Sequence, residues 1–164
     1  MTGSVVQINI SRGGLPKYAI SRGVLTPLGI EGDSHNHPRF HGGPMRALLL
    51  IAFEVIEELK VRGYALYPGA LCENLTMRGI DHRQMRSGQR YRIGECVVEL
   101  TKVRVPCNAL DIYGPSIKQE IFDDKVKVGD PTSPRWAMSG FYTSVVHGGA
   151  IQTNDIIALI DHVV

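Results

Sequence analysis

A mainly β fold, a compact barrel carrying one or two helices, is what this sequence predicts, on three observations. Glycine (18) and proline (9) are spread along the whole chain and leave only short apolar runs between them, the pattern of short strands joined by turns. Several of those runs alternate, or are apolar throughout, as half-buried and fully buried strands do. One stretch alone carries a clear helical period.

In chain order, residues 5–10 (VVQINI) alternate and predict a strand. Residues 47–51 (ALLLI) are apolar throughout and predict a buried one. In residues 52–63 (AFEVIEELKVRG), Ala52, Val55, Ile56 and Leu59 fall on one helical face and Glu54, Glu57, Glu58 and Lys60 on the other. Arg62 sits where the helix dipole favours a cation, and Gly63 supplies the turn that ends the helix. Residues 89–93, following Ser87-Gly88, enter a hairpin. Residues 95–105 (ECVVELTKVRV) carry the clearest strand pattern, a second helix is expected over 116–122, and residues 156–160 (IIALI) form a last strand. No linker or low-complexity segment divides the 164 residues, which fit one domain.

Composition excludes several function classes. A net charge of +2 is too small for an electrostatic nucleic-acid surface. No apolar run approaches the roughly twenty residues of a membrane-spanning helix. The first residues, MTGSVVQINISRGG, lack the basic and apolar regions of a signal peptide. Three cysteines, Cys72, Cys96 and Cys107, do not make a disulfide framework and point to a reducing compartment, by default the cytoplasm. No feature sets an oligomeric state.

EGDSHNHPRFHGGP, residues 31–44, holds His35, His37 and His41. Three imidazoles and a water make a catalytic zinc site, so the stretch admits a metal-dependent hydrolase. The helical arrangement of such sites is ruled out by Pro38 and by Gly42-Gly43, and Asp33 is the only further ligand type nearby. A glycine-bounded loop of solvated or backbone-bonding histidines is the plainer reading. Between them lies a nest of backbone N–H groups for an anion, with Arg39 and His41 beside it, which fits better than a metal trio.

Cys107 is the second candidate. It follows the clearest strand, behind Pro106, which ends the strand and stiffens the approach to the thiol. Arg104 lies three residues earlier, and a cation nearby favours the thiolate, the nucleophilic and metal-binding form. The alternative is an inert buried thiol. Cys96, inside the strand, reads as core, and Cys72, in PGALCENL, as loop or core.

Four blocks in order resemble the MOSC domain, the C-terminal domain of molybdenum cofactor sulfurases: GIEGDSHNHPRFHGGPMRAL, PGALCENLTMRGID, SGQRYRIGECVVELTKVRVPC and GFYTSVVHGGAIQTND. The resemblance implies a compact β-barrel and places Cys107 at the family's characteristic cysteine. That cysteine is proposed to carry sulfur as a persulfide in sulfurases, and it ligates molybdenum in the amidoxime-reducing relatives. The implied activity is therefore sulfur transfer, or molybdenum-dependent reduction of N-hydroxylated compounds. The cofactor implied is molybdenum cofactor, a molybdopterin. Gly32, Asp33, His41, Gly42, Gly43, Arg46, Glu73 and Asn74 match positions that shape and line the pocket, and Arg46 and Arg104 become anchors for the pterin phosphate.

Two departures stand out. Ser34 replaces an arginine common in the family, and Met45 an aspartate, which implies either a lost ion pair or a different ligand. The chain also lacks a pyridoxal-phosphate cysteine desulfurase domain. As a stand-alone MOSC protein it is expected to take sulfur from a separate desulfurase, or electrons from a donor protein, and to act on a small-molecule ligand. The rival readings are a cofactor carrier without chemistry of its own and the loop-histidine hydrolase.

Overall fold

The computed structural model describes residues 1–34 and 42–161. His35, His37 and His41 lie outside the described residues, and so does the metal site considered for them. The chain opens with β1 (Thr2–Ile10), β2 (Tyr18–Ile20), β3 (Arg22–Thr26) and β4 (Gly29–Ile30). A short 3-10 turn (Pro44–Arg46) leads into β5 (Leu48–Ala52), α1 (Phe53–Val61) and β6 (Leu75–Arg78). Then come β7 (Arg90–Ile93), β8 (Cys96–Val103), a 3-10 segment (Asn108–Tyr113), α2 (Ile117–Ile121) and α3 (Asp124–Lys127). β9 (Phe141–His147), β10 (Gly149–Gln152) and β11 (Ile156–Asp161) complete it.

Seven strands close a barrel in the order β11-β7-β8-β9-β5-β6-β1, with β1 pairing back onto β11. Among the described residues, closure leaves the barrel no long unpaired edge. β2 hangs on β1, and β10, β3 and β4 make a separate small sheet. Among the described residues only β5 and β6 run parallel, and α1 is part of the crossover such a pair needs.

β5 shows why its sequence is apolar without a break. Leu48 and Leu50 join the barrel interior with Leu75, Met77, Tyr91, Ile93, Val98 and Phe141. Ile51 and Ala52 belong to a second cluster with Val55, Ile56 and Leu59 of α1 and with Leu71, Leu110, Ile117 and Ile121. Both faces of β5 are therefore buried, which removes alternation from its sequence. In β8 one face points inward and the other is half-buried, so CVVELTKV alternates.

The barrel and the helix of residues 52–63 were legible from this patterning. The helix forms over Phe53–Val61, and Gly63 takes the positive φ (100°) that ends it. Arg62 pairs with Glu58 (2.6 Å) and with Glu120 (2.5 Å) of α2, linking the two helices at the surface. The strand expected over 95–105 forms over Cys96–Val103; the Arg104 N–H still reaches across to the Gly140 carbonyl (2.9 Å), and Pro106, without an N–H, prevents further extension. β9 was not singled out from residues alone, yet it lies between β8 and β5 at the centre of the barrel wall. Among the described residues no helix is long and apolar enough to cross a membrane.

Candidate functional site

The ends of β1 and β8 and the starts of β5, β6 and β9 meet at one end of the barrel, and a pocket opens among the segments joining them. Of the residues picked from the sequence, Cys107, Arg104, Arg46, Asn74 and Gly42 line it. Gly32, Asp33, Gly43 and Glu73 do not reach its surface, and His41 lies outside the described residues. Lys17, Cys72 and Tyr142 line it too and were not among the residues picked. Of the two departures from the family pattern, Ser34 sits on the pocket wall and Met45 is exposed.

Asp33 holds the wall together from behind. Its side chain is 4% exposed and pairs with the Lys17 ammonium at 2.6 Å, itself 2% exposed. Its Oδ1 also accepts the Ser11 N–H (2.9 Å), and its Oδ2 accepts from Asn74 Nδ2 (2.8 Å). One carboxylate thus ties the end of β1, the loop carrying Lys17 and the segment entering β6. The Leu49 N–H completes the tie by donating to Asn74 Oδ1 (3.1 Å). Gly69 lets the Lys17 loop come this close. Its φ is +94°, and a Cβ there would lie 2.3 Å from the Lys17 carbonyl.

Arg104 is only 2% exposed, and its guanidinium faces this pocket. Nη1 donates to the Leu71 carbonyl at 2.6 Å. Among the described residues no carboxylate lies within ion-pairing distance of it. The Glu73 carboxyl acts on it electrostatically without forming an ion pair, so the guanidinium keeps donors free to take an anion from the pocket. Arg46 stands across from it, its guanidinium carbon 5.6 Å from the centre of the Tyr142 ring. Burial pushes the Tyr142 phenol up, while Arg104 and Arg46 pull it down.

Behind Cys72 lies Glu73, fully buried. Its Oε2 accepts from the Thr76 hydroxyl (2.9 Å), and its Oε1 has no hydrogen bond of normal geometry among the described residues. Burial pushes this carboxyl up, against the pull of the Glu73 and Gly69 N–H groups, Thr76 and Arg104. Burial thus works against the charged carboxylate, and Arg104 and the N–H groups work for it. The raised value also makes stability depend on pH. The folded chain holds the Glu73 proton more tightly than the unfolded chain, so this contribution is full below the ordinary carboxyl value of 4.5 and fades as pH rises through the folded-state value. Glu73→Gln keeps the shape and removes the titration. Urea midpoints are expected to fall less with rising pH above 4.5 in the variant than in the wild type. Parallel curves would contradict this account of Glu73.

Cys107 is half-buried at the start of the 3-10 segment, next to Ala109, and its side chain makes no hydrogen bond among the described residues. Cys72 is half-buried on the same pocket and held at a positive φ of 71°. Its Sγ donates to the Gly14 carbonyl (3.5 Å). Burial pushes this thiol up, and Lys17 and Arg104 draw it back. Cys96 is in the barrel interior, with its thiol pushed up to about 11 by burial.

Two thiols, two guanidiniums and a buried ion pair around one pocket suit an anionic ligand that carries sulfur or a thiophilic centre. The chain belongs to the family of MOSC domain proteins, whose model matches residues 37–158. Protein YiiM of Escherichia coli (strain K12) is 31% identical over 94 residues, covering 55% of this chain and 42% of YiiM. The chain thus spans less than half of that relative in the sequence match. The crystal structure of YiiM from Escherichia coli superposes with a TM-score of 0.72 at 22% identity, covering 99% of this chain and 71% of that one. YiiM from Geobacillus stearothermophilus gives 0.72 at 20% identity, covering 97% and 75%. At these identities the superpositions establish a common fold.

Lys17 and Tyr142 escaped notice for different reasons. Lys17 belongs to no motif, and only the fold brings it to Asp33. Tyr142 sits in GFYTSVVHGG, where the neighbouring Phe141 fills the barrel and the alternation turns Tyr142 to the pocket. For Cys72 a signal existed, since it directly precedes the Glu73-Asn74 pair already assigned to the pocket.

Proposed function

We propose that this pocket binds molybdenum cofactor, or a closely related phosphorylated pterin, and that Cys107 is its reactive thiol. The observation that carries the reading is Arg104, a guanidinium 2% exposed, on the pocket surface, with no carboxylate partner among the described residues. The residues present fit the group. Arg104 and Arg46 would hold its phosphate, as guanidiniums hold oxyanions, and Asn74 offers an amide beside them. When bound, the cofactor supplies a redox-active metal on a soft dithiolene.

This chain's own residues do the rest. Cys107 presents a soft sulfur on the pocket wall, either to carry sulfur as a persulfide received from a partner desulfurase or to ligate the metal. Lys17, neutralised by Asp33, and Asn74 set the shape of the opposite wall. Tyr142 lines the pocket with Arg46 packed over its ring. Sulfur or electrons come from a separate protein in this reading, and the three free cysteines fit a reducing compartment such as the cytoplasm.

The test is direct binding of the released cofactor, followed by pterin fluorescence, to the wild type and to Arg104→Met. Loss of the charge should weaken binding by roughly 10-fold or more, the value of one charge-assisted contact. The variant is expected to stay folded, with the loss of the bond to the Leu71 carbonyl offset by removal of a buried charge. Equal affinity in both proteins would remove Arg104 from the site and the main support of this reading.

A further inference from the structure

We propose that Cys72 is the resolving thiol of this pocket: a sulfur–sulfur bond formed on Cys107 is attacked by Cys72, which closes a Cys72–Cys107 disulfide and expels the outer sulfur. Of the three free cysteines, these two line one pocket, and Cys96 sits in the barrel interior with 0% exposure.

The backbone at Cys72 supports a role for its thiol. Its φ of 71° is a left-handed conformation that a side chain disfavours and that glycine adopts freely. Strained residues of this kind persist at functional sites, where the surroundings hold them. The Cys72 thiol lies on the pocket wall, held by its bond to the Gly14 carbonyl. The surroundings also suit the chemistry. Arg104, buried on the same pocket and free of a carboxylate partner among the described residues, stabilises a departing sulfur anion. Burial raises the Cys72 thiol, and the nearby Lys17 and Arg104 cations oppose that rise only in part.

With a persulfide on Cys107, the Cys72 sulfur attacks the inner sulfur, on Cys107. A Cys72–Cys107 bond forms, the bond to the outer sulfur breaks, and the outer sulfur leaves with that electron pair as hydrosulfide. The Cys72 proton ends on the expelled sulfur. The two protein thiols are oxidised together by two electrons, and the sulfane sulfur is reduced to sulfide. An external dithiol restores both cysteines by exchange. This natural use rests on the persulfide reading of Cys107. The attack by Cys72 does not, because any disulfide-forming reagent sets it up.

The experiment treats the native chain with one equivalent of dithiodipyridine, an aromatic disulfide whose released thione is read by absorbance. The wild type is expected to release two thiones per probe and to carry an internal Cys72–Cys107 disulfide in its peptide map. Cys72→Gly relaxes the left-handed backbone and keeps the fold, and Cys72→Ser keeps the side-chain size. Both are expected to release one thione and to retain the probe on Cys107. A wild type that also stops at the adduct overturns the proposal. In parallel, a sulfane-sulfur donor should yield free sulfide from the wild type and a lasting Cys107 persulfide in Cys72→Gly. A persulfide equally lasting in both overturns the proposed sulfide release. If the probe closes the disulfide but no protein accepts sulfur on Cys107, the resolving thiol stands and the sulfur-carrier reading falls.

Discussion

Asp33→Ala is expected to destabilise the protein by about 3–5 kcal/mol, the effect of stranding a buried charge. Lys17 and Asp33 are 2% and 4% exposed and 2.6 Å apart, so neither can turn to water when its partner goes. The substitution also removes the acceptor of the Ser11 N–H and one of the two acceptors of Asn74 Nδ2, which still donates to the Asn9 carbonyl. Domains of this size have a total stability of roughly 5–15 kcal/mol, so the loss is a large share of it. Urea unfolding of the variant beside the wild type measures it. Adding Lys17→Met should recover much of the loss, because the stranded cation disappears. A single-variant effect below about 1 kcal/mol would show that the pair is not buried as described.

Cys107→Ser is expected to abolish sulfur loading or metal-dependent turnover, by at least about 10³-fold, while leaving the fold intact. A hydroxyl in place of the thiol is neither a comparable nucleophile nor a soft ligand at neutral pH. The side chain is half-buried and makes no hydrogen bond among the described residues, so stability should change by no more than about 0.5 kcal/mol. The loading arm is read by mass spectrometry after incubation with a cysteine desulfurase and cysteine. A variant that loads sulfur on Cys107's neighbours and keeps full activity would make Cys107 a bystander.

How much of this was legible in the sequence differs between fold and site. Strands with one strong rule were read directly: alternation in β8, unbroken apolarity in β5, and the helical period of α1. β9 was harder, because FYTSVVH mixes an inward Phe141 with polar neighbours that face other segments. Cys107 and Arg104 could be picked because a strand end, a proline and a family motif mark them. Lys17 could not, because its significance is created by a contact across 16 positions with Asp33. The same contact gives Asp33 a place behind the pocket wall, whereas the motif alone assigns it to the pocket in general terms. The histidine stretch that stands out most in the sequence falls at 35–41, outside the described residues, and the site is defined by what flanks it, Ser34 and Gly42.

These residues describe one arrangement: a positive pocket at a barrel end, tied from behind by a buried ion pair and carrying two thiols. The measurement that tests its central claim most directly is molybdenum and pterin content in protein purified from a host that makes the cofactor, wild type beside Cys107→Ser. The account predicts both in the wild type; loss of both in the variant would make Cys107 a ligand, and retention would make it a sulfur carrier. Wild-type protein containing neither molybdenum nor pterin would contradict it.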